Sequence, residues 1–272
     1  MATLAKRKKV SILHFEDFPD EILIEFMSYL SIKQLLRCMQ VSKRIRDICQ
    51  AESLWQKIDL SWRDEVFEVE DIPYSIVQFV LDKKCKSLSL EDAVMFGKSL
   101  KLNKISQLKH LNLRCCEMNE RARNDLLFSC QHLESLCLYG LNLQTHTIKS
   151  ICLQNGKTLK KLDRSSHIYK LAPSRTKALG VWRNTQWKES RNLKLESIQD
   201  IVYNCVELTE LNLAFISLCE DSLYCLANNL TPKILKLNLE STPIRDEHVK
   251  GQLISKCSFG VFKTTKKPTK LL

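Results

Sequence analysis

Residues Leu108–Leu138 read LKHLNLRCCEMNERARNDLLFSCQHLESLCL, and this stretch states one short pattern twice, Leu-x-x-Leu-x-Leu at Leu108/Leu111/Leu113 and at Leu133/Leu136/Leu138. The pattern returns at Leu208/Leu211/Leu213 and Ile234/Leu237/Leu239, with a partial copy beginning at Leu159. First positions are 25 apart from Leu108 to Leu133, 26 from Leu133 to Leu159 and 26 from Leu208 to Ile234; Leu159 to Leu208 is 49, two periods. Successive side chains of a strand point to opposite faces. The leucines of each copy are therefore expected to face a core, and the residues between and just after them to face a partner. That nominates His110, Asn112, Arg114, Tyr139, Glu210, Asn212, Lys236, Asn238 and Glu240 as substrate-binding candidates.

A period of this length carrying this pattern is similar to the leucine-rich repeat. The resemblance implies an α/β leucine-rich-repeat solenoid, parallel strands on the concave face and helices on the convex face, each unit covering its neighbour's apolar side. Residues 58–249 are assigned to it, with Ile58-Asp59-Leu60 and Leu88-Ser89-Leu90 alternating as earlier strands and Ile76, Val77, Val80 and Leu81 spaced as a helix. The register weakens over 164–192, where the third leucine after Leu162 is missing and RNTQWK stands near the next expected strand. A strand slot is still expected there. Beyond His248-Val249, residues 250–272 are expected to form a disordered basic tail.

Upstream, Asp17–Trp55 reads DFPDEILIEFMSYLSIKQLLRCMQVSKRIRDICQAESLW. Pro19 suits a first helical position, with Asp20 and Glu21 in the first turn where the helix dipole favours carboxylates. Ile22, Leu23, Phe26, Met27 and Leu30 then make an apolar stripe at helical spacing. Ser31 with Gln34 is a capping box, and a third helix follows Ser42 with Ile45, Ile48 and Cys49 inward. So short a helical unit rarely encloses a sufficient core unaided, so a covering partner is expected.

The residues Phe18-Pro19, Glu21-Ile22-Leu23, Leu30, Leu35, Val41-Ser42-Lys43 and Leu54-Trp55 resemble the F-box pattern. Phe18 stands where that pattern has Leu, Gln34 where an acid is common and Ile45 where an aromatic is frequent. The resemblance covers 15–57 and implies docking on the Skp-type adaptor of a cullin–RING ubiquitin ligase, through Phe18, Pro19, Ile22, Leu23, Leu30, Leu35, Val41 and Trp55. Cys116 at the position after the first strand, and Cys130 and Cys205 three residues before a first leucine, match the cysteine usage of F-box/leucine-rich-repeat proteins.

Composition narrows the function classes. The net charge of +11 is uneven: +10 over Lys149–Leu195, +6 from Lys250 onward, +4 over residues 1–14 and −9 for the remainder. This is an acidic scaffold with basic segments, of which residues 1–14 are expected to be a flexible arm. The 12 cysteines lie singly or as the pair Cys115-Cys116, without a Cys-x-x-Cys, and the histidines form no ligand pair at helical spacing, so neither metal nor structural disulfide is expected. Gly97-Lys98-Ser99 and Gly156-Lys157-Thr158 lack the earlier glycine of a phosphate loop, and no cofactor is expected. No apolar run is long enough to span a bilayer, and the first residues lack a signal-peptide core; a chain of the cytoplasm and/or nucleus is expected.

The expected function is a non-catalytic substrate-recognition subunit of an SCF-type ligase, which brings substrate close to a ubiquitin-conjugating enzyme. The alternative is a nucleic-acid-binding or general protein-binding scaffold, in the first case using Tyr169, Trp182 and Trp187 among the cations of 149–195.

Overall fold

A computed structural model describes residues 15–61, 72–166, 192–242, 244–256 and 262–263. The basic arm, most of the 164–192 segment with its three aromatics, and most of the tail lie outside the described residues. The chain separates into two compact units, residues 1–56 and 57–272.

The first unit is helical: α1 (Asp20–Ser28), α2 (Ile32–Cys38) and α3 (Lys43–Cys49), with short 3-10 turns at Phe15–Asp17 and Glu52–Trp55. Pro19 sits one place earlier than expected, as the cap, where its carbonyl accepts the first helical bond from Leu23 at 3.1 Å. The Ser31/Gln34 capping box forms in both directions, and the Ser42 hydroxyl caps Ile45. Leu23, Met27, Leu35, Ile45, Ile48, Cys49 and Trp55 are buried, and the Trp55 indole donates to the Cys49 carbonyl at 2.8 Å. The stripe expected on α1 splits: Leu23 and Met27 point inward, while Ile22, Phe26 and Tyr29 are exposed along a second face.

The second unit alternates strand and helix: β1 (Lys57–Asp59), β2 (Ile72–Pro73), α4 (Tyr74–Asp82), β3 (Ser87–Ser89), β4 (Met95–Phe96), β5 (His110–Asn112), α5 (Glu120–Ser129), β6 (Ser135–Cys137), α6 (Thr145–Asn155) and β7 (Lys161–Asp163). It continues with α7 (Leu195–Asn204), β8 (Glu210–Asn212), α8 (Glu220–Asn229), β9 (Lys236–Asn238), α9 (Glu247–Lys256) and β10 (Phe262–Lys263). One parallel sheet runs β1-β3-β5-β6-β7-β8-β9-β10, and β2 pairs with β4 beside it. Its register places Ile58, Leu88, Leu111, Leu136, Leu162, Leu211 and Leu237 in one row. All seven are buried, and helices α5 to α9 each pack on the next. No helix among the described residues is long and apolar enough to cross a membrane.

A turn repeats with the strands. Four residues past the middle of β3, β5, β6, β8 and β9 stand Asp92, Cys115, Gly140, Phe215 and Ser241, all left-handed with φ of 58°, 48°, 72°, 60° and 58°. The equivalent residue after β7 is Ser166, which is not left-handed.

Two expectations change. First, the interval of 49 residues does not hold an extra strand slot: β7 pairs directly with β8, Lys161 opposite Glu210 and Asp163 opposite Asn212. The 49 residues from Leu159 to Leu208 thus span one step of this sheet and not two. α6 and α7 pack tightly there, since a Cβ on Gly156 would lie 2.2 Å from the Asn204 carbonyl oxygen. Second, helix α9 runs on through Lys256 with Leu253 wholly buried, and β10 adds to β9, so ordered structure passes the boundary expected at 249.

Candidate functional site

Two surfaces carry the candidates. On the helical unit, the eight nominated residues divide by burial. Leu23, Leu35 and Trp55 fill the interior; Phe18 and Leu30 are half-buried; Pro19, Ile22 and Val41 are exposed. Interior leucines shape the surface, whereas exposed apolar groups are available to touch a partner. The exposed set is larger than the sequence indicated, adding Phe15, Phe26 at 50% and Tyr29 at 79%. The rings of Phe15, Phe18 and Phe26 form a cluster with centroids 6.0–6.5 Å apart. Arg44 braces this end, pairing with Asp20 at 2.7 Å and donating to the Phe18 carbonyl at 2.8 Å, while Arg46 donates to the Met39 carbonyl at the end of α2. Spacing alone would have found Phe26 and Tyr29, which continue Ile22 at four and seven residues.

On the second unit, the sheet face away from the leucines presents two rows. One runs His110, Ser135, Lys161, Glu210, Lys236; the other runs Asn112, Cys137, Asp163, Asn212, Asn238. Six nominated residues therefore do come together. Lys161, Asp163 and Cys137 join them; the partial copy has the required alternation although its third leucine is missing.

The second row has a local duty. The side-chain oxygens of Asn112, Asp163, Asn212 and Asn238 each accept the N–H two residues on, at 3.0, 2.9, 3.2 and 3.0 Å, and so end the strand. The amides then reach sideways, Asn112 to Ser89 and Glu91 and Asn212 to Asp163 at 3.1 Å. The first row is electrostatic. Glu210 pairs with both Lys161 at 2.9 Å and Lys236 at 3.2 Å, and Glu134 with Lys160 at 2.9 Å and Lys109 at 4.0 Å. Hydrogen bonds from Lys161 hold the Glu210 carboxyl below its ordinary pKa, and one from Lys160 does the same for Glu134. Glu210 serves two lysines, which leaves the row with one more lysine than carboxylate, and Lys109, Glu134 and Lys160, each one residue before a strand, repeat the arrangement.

Beyond the strands the candidates behave differently. Tyr139 is buried at 5% exposure and serves as a platform: the Arg114 guanidinium lies 4.1 Å from its ring centre and pairs with Glu91 at 3.2 Å. Glu240 is half-buried at the far end. A depression of about 460 Å³ on this face is lined by Cys137, Lys161, Asp163, Glu210, Asn212 and Lys236, among others. The Cys137 thiol there is pushed up to about 12 by burial and the nearby Asp163, so it is neutral at ordinary pH. The described cysteines are free thiols, and no cluster among the described residues is arranged to hold a metal ion.

Residues 15–61 match the F-box-like family. The helical unit is thus an F-box-like region, and the second unit that follows it is α/β with a parallel sheet.

Proposed function

We propose that this chain is the substrate-recognition subunit of an SCF-type E3 ubiquitin ligase. The F-box-like domain binds a Skp-type adaptor, and through it a cullin–RING ligase, by the exposed face of Pro19, Ile22, Phe26, Tyr29 and Val41. The second unit, read as leucine-rich repeats, binds a protein substrate on the sheet face with the Lys161–Glu210–Lys236 row. The chain itself supplies proximity and no catalytic group, and it acts in the cytoplasm and/or nucleus. The F-box-like match carries this reading, supported by the exposed apolar residues Phe15, Pro19, Ile22, Phe26, Tyr29 and Val41 on so small a unit.

The test is capture of a purified Skp-type adaptor by the full chain. Changing Ile22 and Phe26 together to Asp is expected to lower adaptor affinity by about 30-fold or more, the loss of one interface hot spot or greater. Circular dichroism should report the same helix content, because neither side chain belongs to the buried set. Undiminished capture would sink the adaptor assignment.

A further inference from the structure

The sheet face is polarised along its strands. In the register that aligns the seven strands from β1 to β9, the first position and the residue just before it carry Lys57, Lys86, Lys109, Lys160, Lys161 and Lys236 against Glu134 and Glu210, a net +4. The third and fifth positions carry Asp59, Glu91, Asp163 and Glu240 against Arg114, a net −3. One margin of the face is therefore basic and the other acidic.

The two glutamates do not cancel the basic margin. Glu210 lies between Lys161 and Lys236, and Glu134 between Lys160 and Lys109. These carboxylate side chains are 31% and 33% exposed, whereas those of Lys160, Lys161 and Lys236 are 55%, 56% and 59% exposed, so the ammonium groups stand outermost. Lys57 and Lys86 are exposed as well. The depression of about 460 Å³ is lined by Lys161 and Lys236 from the basic margin and by Asp163 and Asn238 from beyond it.

We propose, resting on the reading of this face as the substrate surface, that the basic margin takes an extended acidic segment of a protein, laid across the strands with its carboxylates toward the strand starts. Seven strands about 4.8 Å apart span about 29 Å, the reach of about nine extended residues. An extended segment with an acid at every second residue turns all its carboxylates to one side, which meets the lysines, and leaves its other side to the asparagine row. Single-stranded nucleic acid fits less well. Tyr139, the one Phe, Tyr or Trp among these positions, is buried beneath Arg114 and offers no stacking platform, and the acidic margin repels a polyanion.

The experiment is fluorescence anisotropy of the full chain at low ionic strength with a labelled peptide of about ten residues in which glutamate alternates with serine. Lys161→Glu with Lys236→Glu is expected to weaken binding about 10-fold, and Lys161→Gln with Lys236→Gln about 3-fold should the first pair not fold. The same charge change at Lys101 and Lys104, which are exposed outside the margin, should cost less than about 2-fold. Glu210→Gln, which releases two lysines, should tighten binding about 3-fold. Adaptor capture by all these variants is expected to match the parent, which separates a failure of the acidic segment from a failure of the adaptor assignment. No binding of the peptide, equal binding when glutamine replaces its glutamates, an equal loss from the Lys101 and Lys104 changes, or tighter binding of an oligothymidylate through the same Lys161 and Lys236 would each overturn the site.

Discussion

The link from β8 to β9 and the link from β7 to β8 join neighbouring strands in the same register, yet one interval is 26 residues and the other 49. In the first, a leucine closes the strand and a left-handed residue, Phe215, turns the chain toward its helix. In the second, Arg164 takes the leucine's place and Ser166 does not make that turn. Sheet and helix packing survive both differences. The ladder is therefore set by strand register and by the meeting of adjacent helices, and it is indifferent to the amount of chain between them.

The comparison breaks first at its leucines. Leu213→Ala should destabilise by about 2–5 kcal/mol, the range for emptying a packed leucine site, while Arg164→Leu, which fills the corresponding slot with an apolar side chain, should cost far less or stabilise. Urea unfolding of both variants checks this, and equal losses would show that Arg164 is a well-compensated core residue. The helix joint comes next. Gly156→Ala forces a methyl against the Asn204 carbonyl and should cost about 1–3 kcal/mol, whereas Gly251→Ala, in helix α9 with nothing within 4 Å, should gain about 0.4–1 kcal/mol. A loss at Gly251 as large as that at Gly156 would remove the special status of the α6/α7 contact.

A smaller effect sits in the turns. Ser241→Gly at φ 58° should stabilise by about 1 kcal/mol by relieving a left-handed side chain, while Ser166→Gly should not. Smallest is the response to acid. Glu210 has a folded pKa below its ordinary 4.5, so its contribution is present above pH 4.5 and fades as pH falls through the folded value. Because the pair is partly exposed, the acid sensitivity removed by Glu210→Gln should be slight and should vanish in high salt, as Tm measured between pH 3 and 6 would show.

Much of this was legible in the sequence because spacing is a direct record of geometry. Ser31 with Gln34 marked a helix start, and every Leu-x-x-Leu-x-Leu copy marked a strand. The 49-residue interval misled because phase is preserved equally by a missing strand and by an insertion one period long; only hydrogen-bond partners separate the two. Tyr139 was assigned to the surface by alternation, but Arg114 stacks over it, a side-chain contact that periodicity does not encode. The helical unit gave the opposite lesson. Pattern residues of the F-box resemblance such as Leu35 and Trp55 are interior, while Tyr29, outside the pattern, is the most exposed apolar group among the described residues there.

The direct pairing of β7 with β8 has a consequence in the language of polymers. Closing a loop costs entropy that grows only with the logarithm of its length, so nearly doubling the interval from 26 to 49 residues adds about 0.6 kcal/mol. That is no more than a single backbone bond in the ladder is typically worth, about 1 kcal/mol. The step from β7 to β8 is therefore kept in register at an entropic cost close to that of the step from β8 to β9.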